Sequence, residues 1–217
     1  MVLSLALGST REDVLGVPFI TFLAPGLIAM QVIQQSFSHS SSSFMISKIQ
    51  GNIVDILYAP LSAIEVTLAI SLAAVTRSVM IAVISIFVFY LIIDFEIQNY
   101  LMLIIFTFLA SFILGNIGII AGLWAEKFDH MATVTNFVII PLSFLSGTFY
   151  SIERLPDFLQ KISLANPFFY MIDGFRFAFI GQSDGSIMFG ILYLSIISFL
   201  SWLLAYYLFK IGYKIKS

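Results

Sequence analysis

Chemistry at a protein site needs convergent polar or titratable groups, and this chain offers few. Cysteine is absent, so thiol catalysis, disulfides and cysteine-ligated metals are excluded. The two histidines, His39 and His130, belong to no His-Glu-x-x-His pattern, which argues against a zinc peptidase. Ser146-Gly147 does not sit in Gly-x-Ser-x-Gly, and no histidine on a later span could act as its base. Asp173-Gly174 is a lone dipeptide, too little for an intramembrane aspartyl protease. No Gly-x-x-x-x-Gly-Lys-Ser/Thr loop exists, so this chain binds no ATP through a P-loop. What remains is a set of isolated charges in apolar surroundings. Arg77 interrupts a long apolar stretch, and Asp173 and Arg176 share a shorter one.

The elements that must position these charges belong to a membrane protein. The 217 residues are 60% hydrophobic and 10% charged, with a mean hydropathy of +1.04. An ordinary soluble domain is about 45–50% apolar and about 25% charged. Here lipid must cover most of the surface. Residues 97–125, 131–152 and 185–209 carry no Asp, Glu, Lys or Arg, nor do residues 14–47, and 66–93 carry only Arg77. About 20 apolar residues at about 1.5 Å each cross the hydrocarbon core. The predicted fold is therefore all-α, with spans near 18–43, 64–93, 99–125, 131–149 and 186–209. Barrel strands would need short alternating segments instead. The apolar stub 2–7 lacks the charged start and cleavage pattern of a signal peptide. Residues 1–10 are expected to be the remnant of a further span. A net charge of −2 and the lack of a basic run, apart from Lys210, Lys214 and Lys216, give no sign of nucleic-acid binding.

Orientation follows the lysines and arginines of short loops and tails. A cytoplasmic C-terminus gathers Lys48, Lys127, Lys210, Lys214 and Lys216 inside, against Arg11, Arg154, Lys161 and Arg176 outside. The margin is small, but three of the inner lysines directly follow the last span. Eight acids fall outside in this arrangement: Glu12, Asp13, Asp94, Glu96, Glu153, Asp157, Asp173 and Asp184.

Two connections are more than loops. In 44–60, Ile46, Ile49, Ile53, Ile56 and Leu57 recur at helical spacing, opposite Lys48, Asn52 and Asp55, and Pro60 ends the run. Such a helix either rests on lipid headgroups or docks a soluble partner. In 150–185, Leu155, Phe158, Leu159 and Ile162 predict a small amphipathic helix with Pro156 in its first turn. Asn166-Pro167 then reads as an N-cap followed by proline at the first helical position. The following run, 168–180, is too short to span and reads as re-entrant or interfacial. Asp173 and Arg176, three apart, share a face and can pair. Arg77 either snorkels, caps a hydrogen-bond network, or serves transport. The polar run from Ser36 to Ser43, which includes His39, either packs helices closely or lines a polar path.

The order of elements resembles the membrane-spanning permease subunit of ABC-2-type ABC exporters, of the drug-, polysaccharide- and nodulation-factor kind. The resemblance rests on Pro141-Leu142-Ser143-Phe144-Leu145-Ser146-Gly147-Thr148-Phe149-Tyr150-Ser151, then Leu155-Pro156, Asn166-Pro167, Tyr170 and Gly174-Phe175-Arg176. Phe22-Leu23-Ala24-Pro25-Gly26-Leu27 and Asn52-Ile53-Val54-Asp55-Ile56-Leu57-Tyr58-Ala59-Pro60 add to it. It covers nearly all of the chain, as one permease domain over 1–217. Family members carry about 40 further residues at the start, so a sixth span and an interfacial helix are expected there. The resemblance implies a multi-pass protein of a bacterial-type inner membrane, not itself an enzyme. It implies a pathway formed by a homodimer or heterodimer of permeases in the lipid bilayer. It also implies that ATP is bound by a separate ABC ATPase, with no cofactor in this chain. The ATPase-coupling contacts would be Lys48, Asn52 and Asp55. The outer segment would be marked by Gly147, Tyr150, Pro156, Asn166, Pro167, Tyr170, Asp173 and Arg176. An ion-coupled transporter or channel is the alternative, and it would call for acids or broken helices at mid-membrane. An intramembrane enzyme lacks its catalytic constellation.

Overall fold

The computed structural model describes residues 14–93 and 96–214, and it is helical throughout apart from an isolated bridge between Val14 and Val17. The remnant span at 1–10, with Arg11, Glu12, Asp13, Asp94 and Lys216, lies outside the described residues. Five helical segments are long and apolar enough to cross a membrane. The first is α1 (Phe19–Ile49). A short helix, α2 (Ile53–Tyr58), links it to α3 (Ala63–Tyr90). Next come α4 (Tyr100–Trp124) and the segment Phe128–Leu145. Three further helices close the chain: α7 (Asp157–Ala165), α8 (Pro167–Ile180) and the last span, α9 (Ile187–Lys210).

Each start has a local cause. Ser62 and Glu65 form a reciprocal capping box at α3, with Ser62 N–H donating to Glu65 Oε2 at 2.7 Å. Asn99 Oδ1 accepts the Met102 amide at 3.1 Å at the start of α4. The segment Phe128–Leu145 is bent into α5 (Phe128–Val134), a π-helical turn (Thr135–Ile139) and α6 (Ile140–Leu145). Pro141 has no amide and its ring collides with the carbonyl four residues back. Widening the preceding turn to π geometry relieves that collision.

The core is built around α4, which packs against α1, α3, α8 and α9. Glycines set the spacing. A Cβ on Gly118 would stand 2.7 Å from the Phe37 carbonyl oxygen of α1, and one on Gly122 would stand 2.9 Å from Phe44 Cβ. Small residues let two backbones approach, which in lipid is the main source of helix association. The Ser36–Ser43 run therefore serves packing along one side: Ser36, Ser40 and Ser41 are buried against α3 and α4.

Two expected boundaries shift. The helix predicted over 44–60 divides, because α1 runs unbroken to Ile49 and only Ile53–Tyr58 stands apart. Gly51, at φ +77°, supplies the left-handed residue that breaks the chain between them. The run 168–180 is more enclosed than a helix resting on the membrane surface. Every residue of α8 from Phe168 to Ile180 except Phe177 is buried. Gly174 lies directly under the ring of Phe106, leaving no room for a side chain.

Candidate functional site

Transport requires a polar route through an apolar slab, together with ends that can open and close. The chain presents three polar regions: one at each end of the bundle and one between.

At the end carrying Lys48, Lys127, Lys210 and Lys214, α2 is seated by Ile53, which is buried with Phe44, Val66 and Phe209. Asp55 is exposed, as are Val54, Leu57 and Tyr58, so the free face of α2 is half apolar and half acidic. Asn52 is exposed and donates to Gln50 Oε1 at 3.2 Å. Lys48 departs from the expectation of a free surface contact. Its ammonium donates to the carbonyls of Leu123 and Ala125, each at 3.0 Å, and so caps the C-terminal end of α4. Beside it Lys214 pairs with Glu126 at 2.9 Å. The Lys214 hydrogen bond and charge hold the Glu126 carboxyl below the usual carboxylate range. The same bond raises Lys214.

At the other end, α8 forms the centre of a buried polar network. Asn166 starts it, with Oδ1 accepting the Phe168 amide at 3.0 Å and Nδ2 donating to Ser146 Oγ at 2.7 Å. Pro167 occupies the first helical position, where its missing amide costs nothing. Asp173 accepts the amides of Asp184 and Gly185, both at 3.0 Å. Asp184 in turn accepts from Ser151 Oγ at 2.6 Å and from the Ile152 amide at 3.2 Å. Arg176 donates through Nη2 to the Gly147 carbonyl at 2.7 Å and lies over the Phe22 ring, 3.8 Å from its centroid. Gly147 takes φ +78°, a left-handed turn that aims its carbonyl at Arg176.

The expected direct pair between Asp173 and Arg176 is not formed. Among the described residues the one ion pair is Lys214–Glu126. Asp173 and Arg176 instead clamp two different loops onto the same helix, 184–185 and 147–148. Backbone groups at these turns would otherwise be buried without partners. Tyr170 meets Phe169 and Tyr193 edge-to-face and Phe189 at a tilt, and packs α8 on α9. Pro156 is exposed and caps α7, with its carbonyl accepting the Leu159 amide at 2.8 Å. Tyr150 is half-buried. Of the predicted outer residues, Gly147, Asn166, Pro167, Tyr170, Asp173 and Arg176 meet on α8, and Pro156 stands apart from that network.

Between the two ends, α1 carries a polar face. Gln31, Gln34, Gln35, Ser38, His39 and Ser42 recur at three- and four-residue spacing and are exposed or half-buried. Gln31 and Gln34 line a pocket with Ser85 and Phe89 of α3. Arg77 of α3 reaches the same face, with Nη1 3.1 Å from His39 Nδ1. Inward-facing polar groups are satisfied differently. Ser36 Oγ lies 2.6 Å from Ser78 Oγ, and Ser71 Oγ donates to Asn116 Oδ1 at 2.8 Å.

Asn116 and the three glutamines belong to none of the motifs read from the sequence, and Phe22 and Asp184 were named there without these contacts. Only the glutamines carried a usable signal, their helical spacing.

This arrangement of spans, α2 and the buried α8 can be set beside known proteins. The profile of the ABC-2 type transporter family matches residues 2–180. The chain belongs to the ABC-2 type transporter family. It is 31% identical over 213 residues to the inner membrane transport permease YadH of Escherichia coli (strain K12), covering 97% of this chain and 82% of that protein. It is 22% identical over 186 residues to nodulation protein J of Sinorhizobium fredii (strain NBRC 101917 / NGR234), covering 85% of this chain and 71% of that protein. This ABC-2 chain is thus the membrane subunit of a transporter and a multi-pass protein of the inner membrane.

Proposed function

We propose that the chain forms half of the pathway of an ATP-driven exporter, as one of two permease subunits, each docked to a separate ATPase. The observation that carries this is the polar face of α1. Lipid tails offer no hydrogen bonds, and the side-chain amides of Gln31, Gln34 and Gln35 have no partner among the described residues. Such a face belongs against water, substrate or a second subunit. It lies on the same continuous helix that leads into α2. Docking uses the exposed side of α2, with Asn52 and Asp55 as its polar contacts. Lys48 acts from behind by holding α4. ATP is bound by the partner, and its binding and hydrolysis shift the subunits through differential contacts at α2. The basic end is cytoplasmic, and the segment 150–185 closes the pathway outside. An ion-coupled carrier is less well supported: among the described residues the one acid of α3, Glu65, lies in its first turn and is consumed in the cap of that helix.

The test is to express the chain, carrying Asp55→Lys or Asn52→Trp, together with the ABC ATPase it pairs with. Membrane insertion should be unchanged, while ATPase co-purification or transport falls at least about tenfold. Unchanged transport and association in both variants would remove α2 from the mechanism.

A further inference from the structure

Arg77 stands 14 residues after the first residue of α3 and 13 before its last. At about 1.5 Å per residue it lies about 20 Å from either end, beyond the reach of a snorkelling side chain. It is exposed, and its one described polar partner is the ring of His39, whose Nδ1 lies 3.1 Å from Nη1. Among the described residues no carboxylate pairs with it, and the stretches 14–47, 66–93, 97–125, 131–152 and 185–209 contain no Asp or Glu. An uncompensated cation at this depth is costly in lipid. Its partner His39 lies on the α1 face that also carries Gln34, Gln35 and Ser38, whose amides and hydroxyl bond polar ligands without adding charge.

Resting on the pathway reading above, we propose that Arg77, oriented by His39 beside the amide and hydroxyl stripe of α1, binds the acidic group of an amphiphile occupying this groove at mid-membrane. A guanidinium suits this task, because it stays charged at any accessible pH and matches carboxylate or phosphate with two parallel donors. His39 holds one nitrogen and leaves the others for the ligand. The apolar face of α3 beyond Arg77, with Met80, Val83 and Ile84 exposed, accommodates the alkyl part.

The experiment places the full chain in phosphatidylcholine nanodiscs. It uses three photoreactive C12 amphiphiles that differ only in the head: phosphate, hydroxyl or trimethylammonium. Adducts are mapped by mass spectrometry. The phosphate probe should label α1 and α3 around Gln34–Ser42 and Arg77 at least about fivefold more than the hydroxyl probe, about 1 kcal/mol of preference. Arg77→Gln should bring that ratio to about one while hydroxyl-probe labelling persists, and Arg77→Lys should keep part of it. His39→Ala, which leaves the charge in place, should lower the ratio without abolishing it. Adding phosphatidylglycerol separates the two sources of acid. Competition assigns the acidic group to bilayer lipid and its absence to a transported amphiphile, and either outcome supports the site. A ratio near one in the wild type, or a preference that survives Arg77→Gln, overturns the proposal. If all three probes label the groove equally, the acid is wrong and the pathway stands. If none labels it, both readings fail.

Discussion

The two arginines held among the helices live in opposite circumstances. Arg176 is fully enclosed, donates to a main-chain carbonyl and lies on an aromatic face. Arg77 is exposed at mid-span and touches one histidine. Charge near lipid is costly in both places. In the first region the protein itself meets much of that cost with a carbonyl and an aromatic ring, although Nε has no partner, so the charge holds the fold. In the second it leaves the cost standing, which a resting scaffold has no reason to do. The contrast separates a charge used for architecture from one kept available.

The largest expected effect tests that contrast directly. Arg176→Leu frees the 147–148 turn and should cost about 1.5–3 kcal/mol, the usual range for a buried hydrogen bond to a charged group. Arg77→Leu should cost less than about 1 kcal/mol, because it removes an exposed charge from an apolar setting. Thermal unfolding of both purified variants in the same detergent decides it, and equal losses would erase the distinction. Because Asp173 and Arg176 bind different loops, the losses from Asp173→Asn and Arg176→Leu should add to within about 0.5 kcal/mol. A large coupling energy would restore the direct pair.

Packing provides the next step down. Gly118→Ala pushes a methyl group against the Phe37 carbonyl and should cost about 1–3 kcal/mol. Gly51→Ala, on the polar-face side of the molecule's basic end, meets no neighbour and should cost less, from its left-handed φ alone. Ser36→Ala, which removes the bond to Ser78, should cost about 0.6 kcal/mol, the usual figure for hydrogen bonds between spans. The same assay orders all three.

The smallest effect is electrostatic. Glu126 has its carboxyl depressed by Lys214, so the contact contributes fully above the ordinary glutamate range and is lost as pH falls through the lowered value. Wild type should therefore lose slightly more stability than Glu126→Gln between pH 5 and pH 3, a range set by the ordinary carboxylate value of about 4.3. Both groups are exposed, so high salt should remove the difference. A difference that persists in high salt would mean the pair is shielded from solvent.

The spans were legible because charge is excluded from them so completely, and all five starts fall within about three residues of expectation, within the usual boundary error. The cap at Asn166-Pro167 was legible for the same reason that it works: it is chemistry between neighbours in sequence. The contacts of Asp173 and Arg176 were not. Their spacing of three pointed to each other, whereas the partners that won lie 11 and 29 residues away on loops that only the fold brings near. The carbonyl contacts of Lys48 were not legible because helical spacing gives a face, not what occupies it. The carbonyls that claim it belong to a helix 75 residues downstream. The break between α1 and α2 was hidden because the apolar period continues across Gly51.

The unbroken length of α1 has a mechanical consequence. Thirty-one residues make a rod about 46 Å long. Pro25, its one internal proline, lies within the first two turns, so most of the rod has no built-in joint. A tilt of about 5° applied at the α2 end would displace the opposite end by about 4 Å, over a length of that order. That opposite end carries Phe22, the ring beneath Arg176. Axial rotation of the same rod would sweep the glutamine stripe past Arg77. One member therefore spans all three polar regions, and from Gly26 to Ile49 a load is carried without a proline joint, Pro25 being the one break between that rod and Phe22.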